Sequence, residues 1–171
     1  MSLPTATNCI SKTEDQFITW LANVSAFQTW QGNSWSADQA KDRIYFDEIA
    51  QSIGNVFDAS NLCDLRPFAF CTLEQYEVAP IGSPNAFSSA GEILIRFEAE
   101  MELDEPNPGR AYRTFKNQIG GIMDGLKSSA TTYWNSPTIT IHDWGTPTPE
   151  QRAGMGEFMI CLMAVTWGNG A

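Results

Sequence analysis

The chain has little of what catalytic and metal-binding sites are built from. Its 171 residues include one histidine, His142, and four cysteines, no two of which have CxxC spacing. The phosphate-binding motifs GxxxxGK[ST] and GxGxxG and the hydrolase motif GxSxG do not occur. A zinc site would need the scattered cysteines to converge, and a thiol nucleophile would need a base from another segment. We therefore predict no catalytic residue, no metal site, no cofactor and no enzymatic activity.

Basic residues and long apolar runs are also scarce. Ten lysines and arginines stand against 20 aspartates and glutamates, and the net charge is −10. Proteins that bind phosphate backbones or anionic membranes present basic stripes, so neither specific DNA binding nor a membrane partner is expected. No apolar run approaches the roughly 20 residues of a membrane span, and the first residues lack the pattern of a signal peptide. These features favour a reducing cytoplasm, with Cys161 as a buried thiol.

The strongest pattern that is present is a long amphipathic strand. Apolar and polar residues alternate from Glu92 to Leu103, a run about twice as long as a typical strand. One face carries Ile93, Ile95, Phe97, Ala99, Met101 and Leu103, and the other carries Glu92, Leu94, Arg96, Glu98, Glu100 and Glu102. We predict a strand within Phe87 to Leu103 that has one core face and one acidic face. The acidic row is most simply solvated, and a hard-cation site or a glycosidase pair remains open.

A long helix is predicted after this strand, from about Pro108 to Ala130. Its apolar residues fall within an arc of about 100°, which is typical of an amphipathic helix; they are Tyr112, Phe115, Ile119, Ile122, Met123 and Leu126. Gly120, Gly121 and Gly125 fall outside this arc, where each costs roughly 0.8–1 kcal/mol relative to alanine. Either the helix is weak and held by its packing face, or another chain approaches its outer side closely.

Shorter patterns fill in the rest of the chain. Two capping boxes, Thr13–Gln16 and Ser36–Gln39, predict helix starts, the second helix carrying Ala40 and Ile44 inward. Between them, Phe27 and Trp30 anchor a short turn. Further strands are predicted at 67–73, with extension to 78, at 138–143 and at 157–167, and loops at 47–66 and 79–85. His142 and Asp143 cannot form a hydrolase pair, because adjacent strand residues point to opposite faces.

The last of these strands is apolar on both sides. A strand of this kind is covered on both sides, and one helix layer covers only one. The second cover must come from the N-terminal helices or from a partner subunit. Because strand-rich and helix-rich segments are grouped, we predict one α+β domain over 1–171, with a flexible stretch at 1–12 and a mainly antiparallel sheet flanked by helices.

Charge is segregated between the long strand and the long helix. Six acids and one arginine lie between Glu92 and Glu105, whereas four bases and one acid lie between Arg110 and Lys127. The two groups either offset each other within one subunit or meet between subunits packed head to tail, and such contacts form rings when the rotation closes. The candidate residues for a lumen or a subunit interface are Glu98, Glu100, Glu102, Arg110, Arg113 and Lys116.

The order of elements resembles a known family. The stretches that carry the resemblance are Phe27–Gly32, Ala40–Tyr45, Pro67–Cys71, Gly91–Glu98, the helix with Arg113–Gly120, and the strands at Ile139–Ile141 and Phe158–Gly168. Over nearly its whole length the chain is similar to tail terminator and head–tail joining (neck) proteins of long-tailed bacteriophages and prophages.

The resemblance implies a structural virion protein with no catalytic residues. Such proteins have an α+β fold and form homo-oligomeric rings, often hexamers, that contact the tail tube and the head connector. DNA passes through the ring without specific binding. The location implied is the virion and the host bacterial cytoplasm. A non-catalytic α+β domain that binds a small ligand or another protein remains the alternative.

Overall fold

The computed structural model describes residues 8–31, 35–46, 66–80, 87–101, 108–134, 137–145 and 158–168. The elements in these ranges are α1 (Cys9–Ala22), α2 (Ser25–Gln31), α3 (Ala37–Lys41), β1 (Ile44–Phe46), β2 (Phe68–Pro80), β3 (Phe87–Glu100), α4 (Pro108–Tyr133), β4 (Thr138–Gly145) and β5 (Phe158–Trp167). The predicted α+β class is confirmed. Within the described ranges, no helix combines the length and the apolar character needed to span a membrane.

The five strands form one sheet in the order β1-β2-β3-β5-β4. β1 pairs with β2 in parallel, and the other three pairings are antiparallel, as expected of a mainly antiparallel sheet. Because β3 and β4 are both antiparallel to β5, they run parallel to each other on its two sides. The helix α4 connects them by crossing over the sheet, so the long strand and the long helix belong to one β-α-β unit.

The described helices that pack on the sheet all lie on the same face of it. From α2, Phe27 and Trp30 contact Phe97 with ring centroids 6.4 and 5.6 Å away. From α1, Phe17 contacts Phe46 at 6.1 Å, and from α4, Phe115 contacts Trp144 at 5.9 Å. The register places Phe46, Phe97 and Trp144 on one side of the sheet. The described N-terminal helices therefore do not cover the second side of the sheet, and that expectation is wrong.

The alternation in the long strand is reproduced on this face. Ile93, Ile95 and Phe97 are at most 1% exposed, and Ala99 is 9% exposed. The strand ends at Glu100, three residues before the predicted limit, and Glu102 and Leu103 lie outside the described residues. Burial of this apolar row against the helices fixes the register, because a slip by one residue would turn every side chain to the other face.

A glycine and a tryptophan pack together where β5 stops pairing with β3, and the tryptophan also contacts the helix layer. Gly91 lies directly opposite Trp167 in the sheet. A Cβ atom on Gly91 would lie 2.6 Å from Cζ2 of Trp167 and 2.5 Å from the carbonyl oxygen of Gln75, so only glycine fits. Trp167 also donates a hydrogen bond from Nε1 to Oγ of Ser89 (3.4 Å) and stacks on Trp134 at 4.6 Å. Beyond this point β2 and β3 continue as a two-stranded ribbon.

The helix starts agree with the sequence in one case and differ in the other. The capping box of Ser36 and Gln39 is present. α1, by contrast, begins at Cys9 with Asn8 as its N-cap, so part of the stretch expected to be flexible is helical. Thr13 lies inside the helix, where its hydroxyl donates to the carbonyl oxygen of Cys9 (2.9 Å).

The remaining boundaries follow the predictions closely. The helix predicted to carry Ile44 is α3, which ends at Lys41. Ile44 belongs to β1 instead, and it is buried there at 3% exposure. The strands predicted at 67–78, 138–143 and 157–167 are confirmed as β2, β4 and β5. The turn predicted at 79–85 is wrong at Ala79 and Pro80, which extend β2 by pairing with Ser88 and Phe87. Residues 81–85 and the predicted loop at 47–65 lie outside the described residues.

Two of the three helix glycines are explained by contacts within the chain. A Cβ atom on Gly125 would lie 2.5 Å from Cγ1 of Val24, and one on Gly121 would lie 3.5 Å from Cβ of Ala26. The chain that approaches α4 at these positions is therefore its own α1–α2 segment. Gly120 has no described neighbour within 4 Å of its Cβ position.

Alanine at these positions should have opposite effects on stability. Gly120→Ala should raise the free energy of unfolding by about 0.8–1 kcal/mol, because it removes only the helix penalty of glycine. Gly125→Ala should lower it by about 1 kcal/mol, because overpacking against the buried Val24 costs about 1–3 kcal/mol. Urea unfolding followed by tryptophan fluorescence measures both. Equal stabilisation by the two substitutions would contradict the role assigned to Val24.

Candidate functional site: a buried ion cluster between oppositely charged surfaces

Glu98 is not part of an exposed acidic row. It lies on the sheet face opposite the helices, yet it is only 3% exposed. Its Oε2 is 3.3 Å from Nε of Arg66, and its Oε1 forms an ion pair with Nη2 of Arg96. The prediction of an exposed Glu98 is therefore corrected, because two guanidinium groups enclose its carboxylate. Glu100 is exposed, as predicted.

Arg66 holds this cluster in place from just before β2. Its side chain has no exposed surface, and its guanidinium carbon lies 3.9 Å from the ring centroid of Phe158. Phe68 and Phe158 beside it are each 2% exposed. A buried charge is tolerated where it is paired, and an arginine can add a cation–π contact. The cluster thus lets one end of the outer strand face be buried although it contains a glutamate.

A cleft opens beside this cluster on the helix side. It has a volume of about 440 Å³ and brings Arg66, Glu100 and Arg110 together with the rings of Trp30 and Phe115. Two of the predicted residues, Glu100 and Arg110, therefore line the same cleft of one subunit without forming an ion pair. No histidine or cysteine is among the described residues that line the cleft. Among the described lining residues, Arg110 and Glu100 are exposed whereas the side chain of Arg66 is buried, so the cleft offers a polar group one accessible base and one accessible carboxylate.

Three bases form an exposed row on the long helix, and we call it the basic ridge: Arg113, Lys116 and Lys127. Nζ of Lys116 lies 4.8 Å from the ring centroid of Tyr112 and 5.3 Å from that of Trp144 on the edge strand β4. No described carboxylate lies within ion-pair distance of these three bases. The exposed Asp124 lies one turn before Lys127 on the same helix, so bases outnumber acids on this surface without any ion pair between them.

The opposite side of the sheet, which we call the outer sheet face, combines carboxylates with exposed leucines. Leu94 and Leu162 are 37% and 40% exposed. Besides the paired Glu98, the register places four carboxylates on this face, and they are Glu77, Glu92, Glu100 and Asp143. None of these four has an ion-pair partner among the described residues. The second face of β5 is consequently only partly covered, with Phe158 and Ala164 buried and Leu162 open.

The other residues singled out in the sequence occupy unremarkable positions. A register shift between Ile141 and Asp143 places His142 in a β-bulge, and both His142 and Asp143 are exposed. Oδ1 of Asp143 accepts a hydrogen bond from the backbone N–H of Trp144 (2.7 Å). Among the described residues, no three His, Cys, Asp or Glu side chains gather as a metal site. Cys161 is fully buried, and burial raises the pKa of its thiol to about 12.

Arg66 is the important residue that the sequence analysis did not single out. It stands 32 positions before Glu98, so no local spacing connects the two. The one available signal was an arginine directly before an apolar strand. Glu102, the remaining predicted site residue, lies outside the described part of the chain.

The chain matches no family profile, and no curated protein is significantly similar to it.

Removing the central carboxylate should destabilise the fold. Glu98→Gln leaves two guanidinium groups without a counter-charge, and breaking a buried pair costs about 3–5 kcal/mol. Glu100→Gln removes an exposed charge and should change the free energy of unfolding by no more than about 0.5 kcal/mol. Chemical denaturation of the two variants beside the unchanged chain measures the difference. If Glu98→Gln proves as stable as Glu100→Gln, the cluster has no structural role.

Thiol reactivity should follow burial. At pH 8, iodoacetamide should modify the exposed Cys9, whereas Cys71 and Cys161 should react only after unfolding. The raised pKa keeps the Cys161 thiol protonated until the pH approaches about 12, and the thiol form is a poor nucleophile. Peptide mapping by mass spectrometry, with and without denaturant, reads out each site. Modification of Cys161 in the folded chain at the rate of Cys9 would contradict the packing of β5.

Proposed function

We propose that the protein is a structural component of a bacteriophage or prophage virion, a tail terminator or neck protein that acts as a homo-oligomeric ring. The observation that supports this most is the separation of charge onto two outer surfaces of one chain, the basic ridge and the outer sheet face. A subunit with complementary surfaces on different sides associates head to tail, and that arrangement generates a ring when the rotation closes. The resemblance in the order of elements points to the same role.

The acidic balance of the chain suits a ring through which DNA passes. A net charge of −10 repels the phosphate backbone and disfavours retention of the DNA by non-specific binding. The ring then contacts the tail tube and the head connector through its flat ends. No residue in this proposal performs chemistry, and none is required to hold a cofactor.

The cleft beside Arg66 and Arg110 supports a second candidate, a domain that binds a small anionic ligand. Its volume of about 440 Å³ is within the range of small-molecule sites, which is roughly 300–1,000 Å³. Thermal-shift screening with small carboxylates and phosphates distinguishes this candidate from the first. Clear stabilisation of a monomer by such a compound would favour ligand binding over assembly.

Tail length tests the proposed role directly. Deletion of the gene from the phage or prophage that encodes the chain should give overlong tails if the protein is a terminator, and normal but unattached tails if it joins heads to tails. Negative-stain electron microscopy of the particles provides the measurement, with plasmid-borne complementation as the control. Normal virions from the deletion strain would refute the proposal.

A further inference from the structure

We propose that the outer sheet face of one subunit receives the basic ridge of a second copy. This inference rests on the proposed function, because it names the two surfaces that join neighbouring subunits in the ring. It replaces the acidic row expected at Glu98, Glu100 and Glu102 with carboxylates drawn from three strands. The partner is another copy of this chain, and the following observations lead to that choice.

The basic ridge and the carboxylates of β2 and β3 lie on opposite sides of the sheet. The ridge residues lie outside the arc of α4 that packs on the sheet, which is marked by the fully buried Ile119, Ile122 and Leu126. The carboxylates of the outer sheet face lie on the far side of that sheet. The helix layer and the sheet therefore separate the positive surface from the negative one. Asp143 on the edge strand β4 is an exception, because burial and then the charge of Asp143 raise the pKa of Tyr112, which lies beside Lys116. Glu77 and Glu92 have no basic partner among the described residues.

The charged residues of the outer sheet face are of two kinds, those paired in the buried cluster and those without an ion-pair partner. Glu98 is paired with Arg66 and Arg96 inside the protein, so this carboxylate and these two guanidinium groups are already engaged. Glu77, Glu92 and Asp143 remain exposed or half-exposed without an ion-pair partner. A partner surface rich in arginine and lysine is the electrostatic complement of such a face, and charge complementarity of this kind selects partner and orientation.

The outer sheet face also carries two exposed leucines, and the ridge carries a glycine. Leu94 lies opposite Ala164, and Leu162 lies opposite Arg96 one step along, so the two exposed leucines are diagonal neighbours. On the helix, Gly120 lies within the ridge and has no described atom within 4 Å of its Cβ position. A missing side chain there allows the helix backbone to approach a leucine on another molecule. The contact accounts for the one glycine of the three that the chain itself does not explain.

Charge reversal on each surface, alone and mixed, tests the proposal. Arg113→Glu with Lys116→Glu makes both surfaces negative, and Glu77→Lys with Glu92→Lys makes both positive. Each double variant alone should associate at least about tenfold more weakly than the unchanged chain, because like charges then face each other across the contact. An equimolar mixture should assemble again, because the ridge of each variant is then complementary to the outer sheet face of the other. Sedimentation velocity and mass photometry give the size of the assemblies.

Two further variants separate surface effects from folding and from net charge. Lys12→Glu with Lys41→Glu changes the charge equally on α1 and α3, and this control should assemble like the unchanged chain. Gly120→Leu leaves every charge in place and should block assembly by filling the gap in the ridge. Circular dichroism and thermal unfolding confirm that each variant folds.

The outcomes distinguish this inference from the proposed function. An unchanged chain that stays monomeric at every concentration, full assembly of either reversed variant, or a mixture that fails to assemble would overturn the inference. Overlong or unattached tails in the deletion strain would still support the virion role in those cases. Conversely, a restored mixture together with normal virions from the deletion strain would keep the interface and refute the virion role.

Discussion

The described helices that pack on the sheet cover only one of its faces, and most features of this protein depend on that constraint. The large aromatic residues are gathered between α1, α2, α4 and that face, where Trp134 stacks on both Trp167 and Phe17. The other face is in contact with solvent, although it carries both charged and apolar side chains. It buries one glutamate between two arginines and leaves two leucines partly open. The interior is thus an apolar, aromatic-rich core, and the features that bear on function lie on the outer sheet face.

Period-two alternation predicted the strands well for a simple physical reason. In a strand, alternate residues share a face, so a row such as Ile93, Ile95 and Phe97 reports directly on burial. For β5 the same reasoning called for a cover on its second apolar face, from the N-terminal helices or from a partner subunit, and within one subunit that cover is only partial. Phe158 is buried beneath the guanidinium of Arg66, and Ala164 is 2% exposed, which leaves Leu162 open. The pattern gives the number of apolar faces and does not say which group covers each one.

Long-range partners could not be obtained from the sequence. The pairing of Arg66 with Glu98 depends on the alignment of β2 with β3, and the sequence places Glu98 in a row with Glu100 and Glu102 that looks uniformly solvated. The glycine positions on α4 were placed correctly outside the packing arc. The sequence did not show which segment packs against these glycines, because helical geometry gives the direction in which a position faces and not the identity of its neighbour. The structure assigns Gly121 and Gly125 to the chain's own α1–α2 segment.

Local signals at helix starts were ambiguous for a related reason. Both Asn8 and Thr13 are residues that cap helices, and the hydroxyl of a threonine inside a helix can bond to the carbonyl four residues before it. Thr13 forms this bond inside α1, so its capping-box pattern does not mark the start of the helix. Ser36 differs because its partner Gln39 completes both hydrogen bonds. A complete reciprocal pair was therefore needed before the motif specified a helix start.

The two roles first considered for the acidic strand, lining a lumen and contacting a neighbour, exclude each other on this fold. A face that packs against the next subunit is removed from the lumen, and its carboxylates then act on the basic ridge over a few ångströms rather than on passing DNA. Screening limits charge effects to about 8 Å at physiological salt, so only groups near the lumen wall repel the duplex. Among the described carboxylates of the outer sheet face, Glu100 lies at the end of β3 beside the cleft, a position that can leave it outside the contact and near passing DNA. The position of a carboxylate along β3, and not its membership of the acidic row, then decides whether it contributes to subunit contact or to repulsion of the passing DNA.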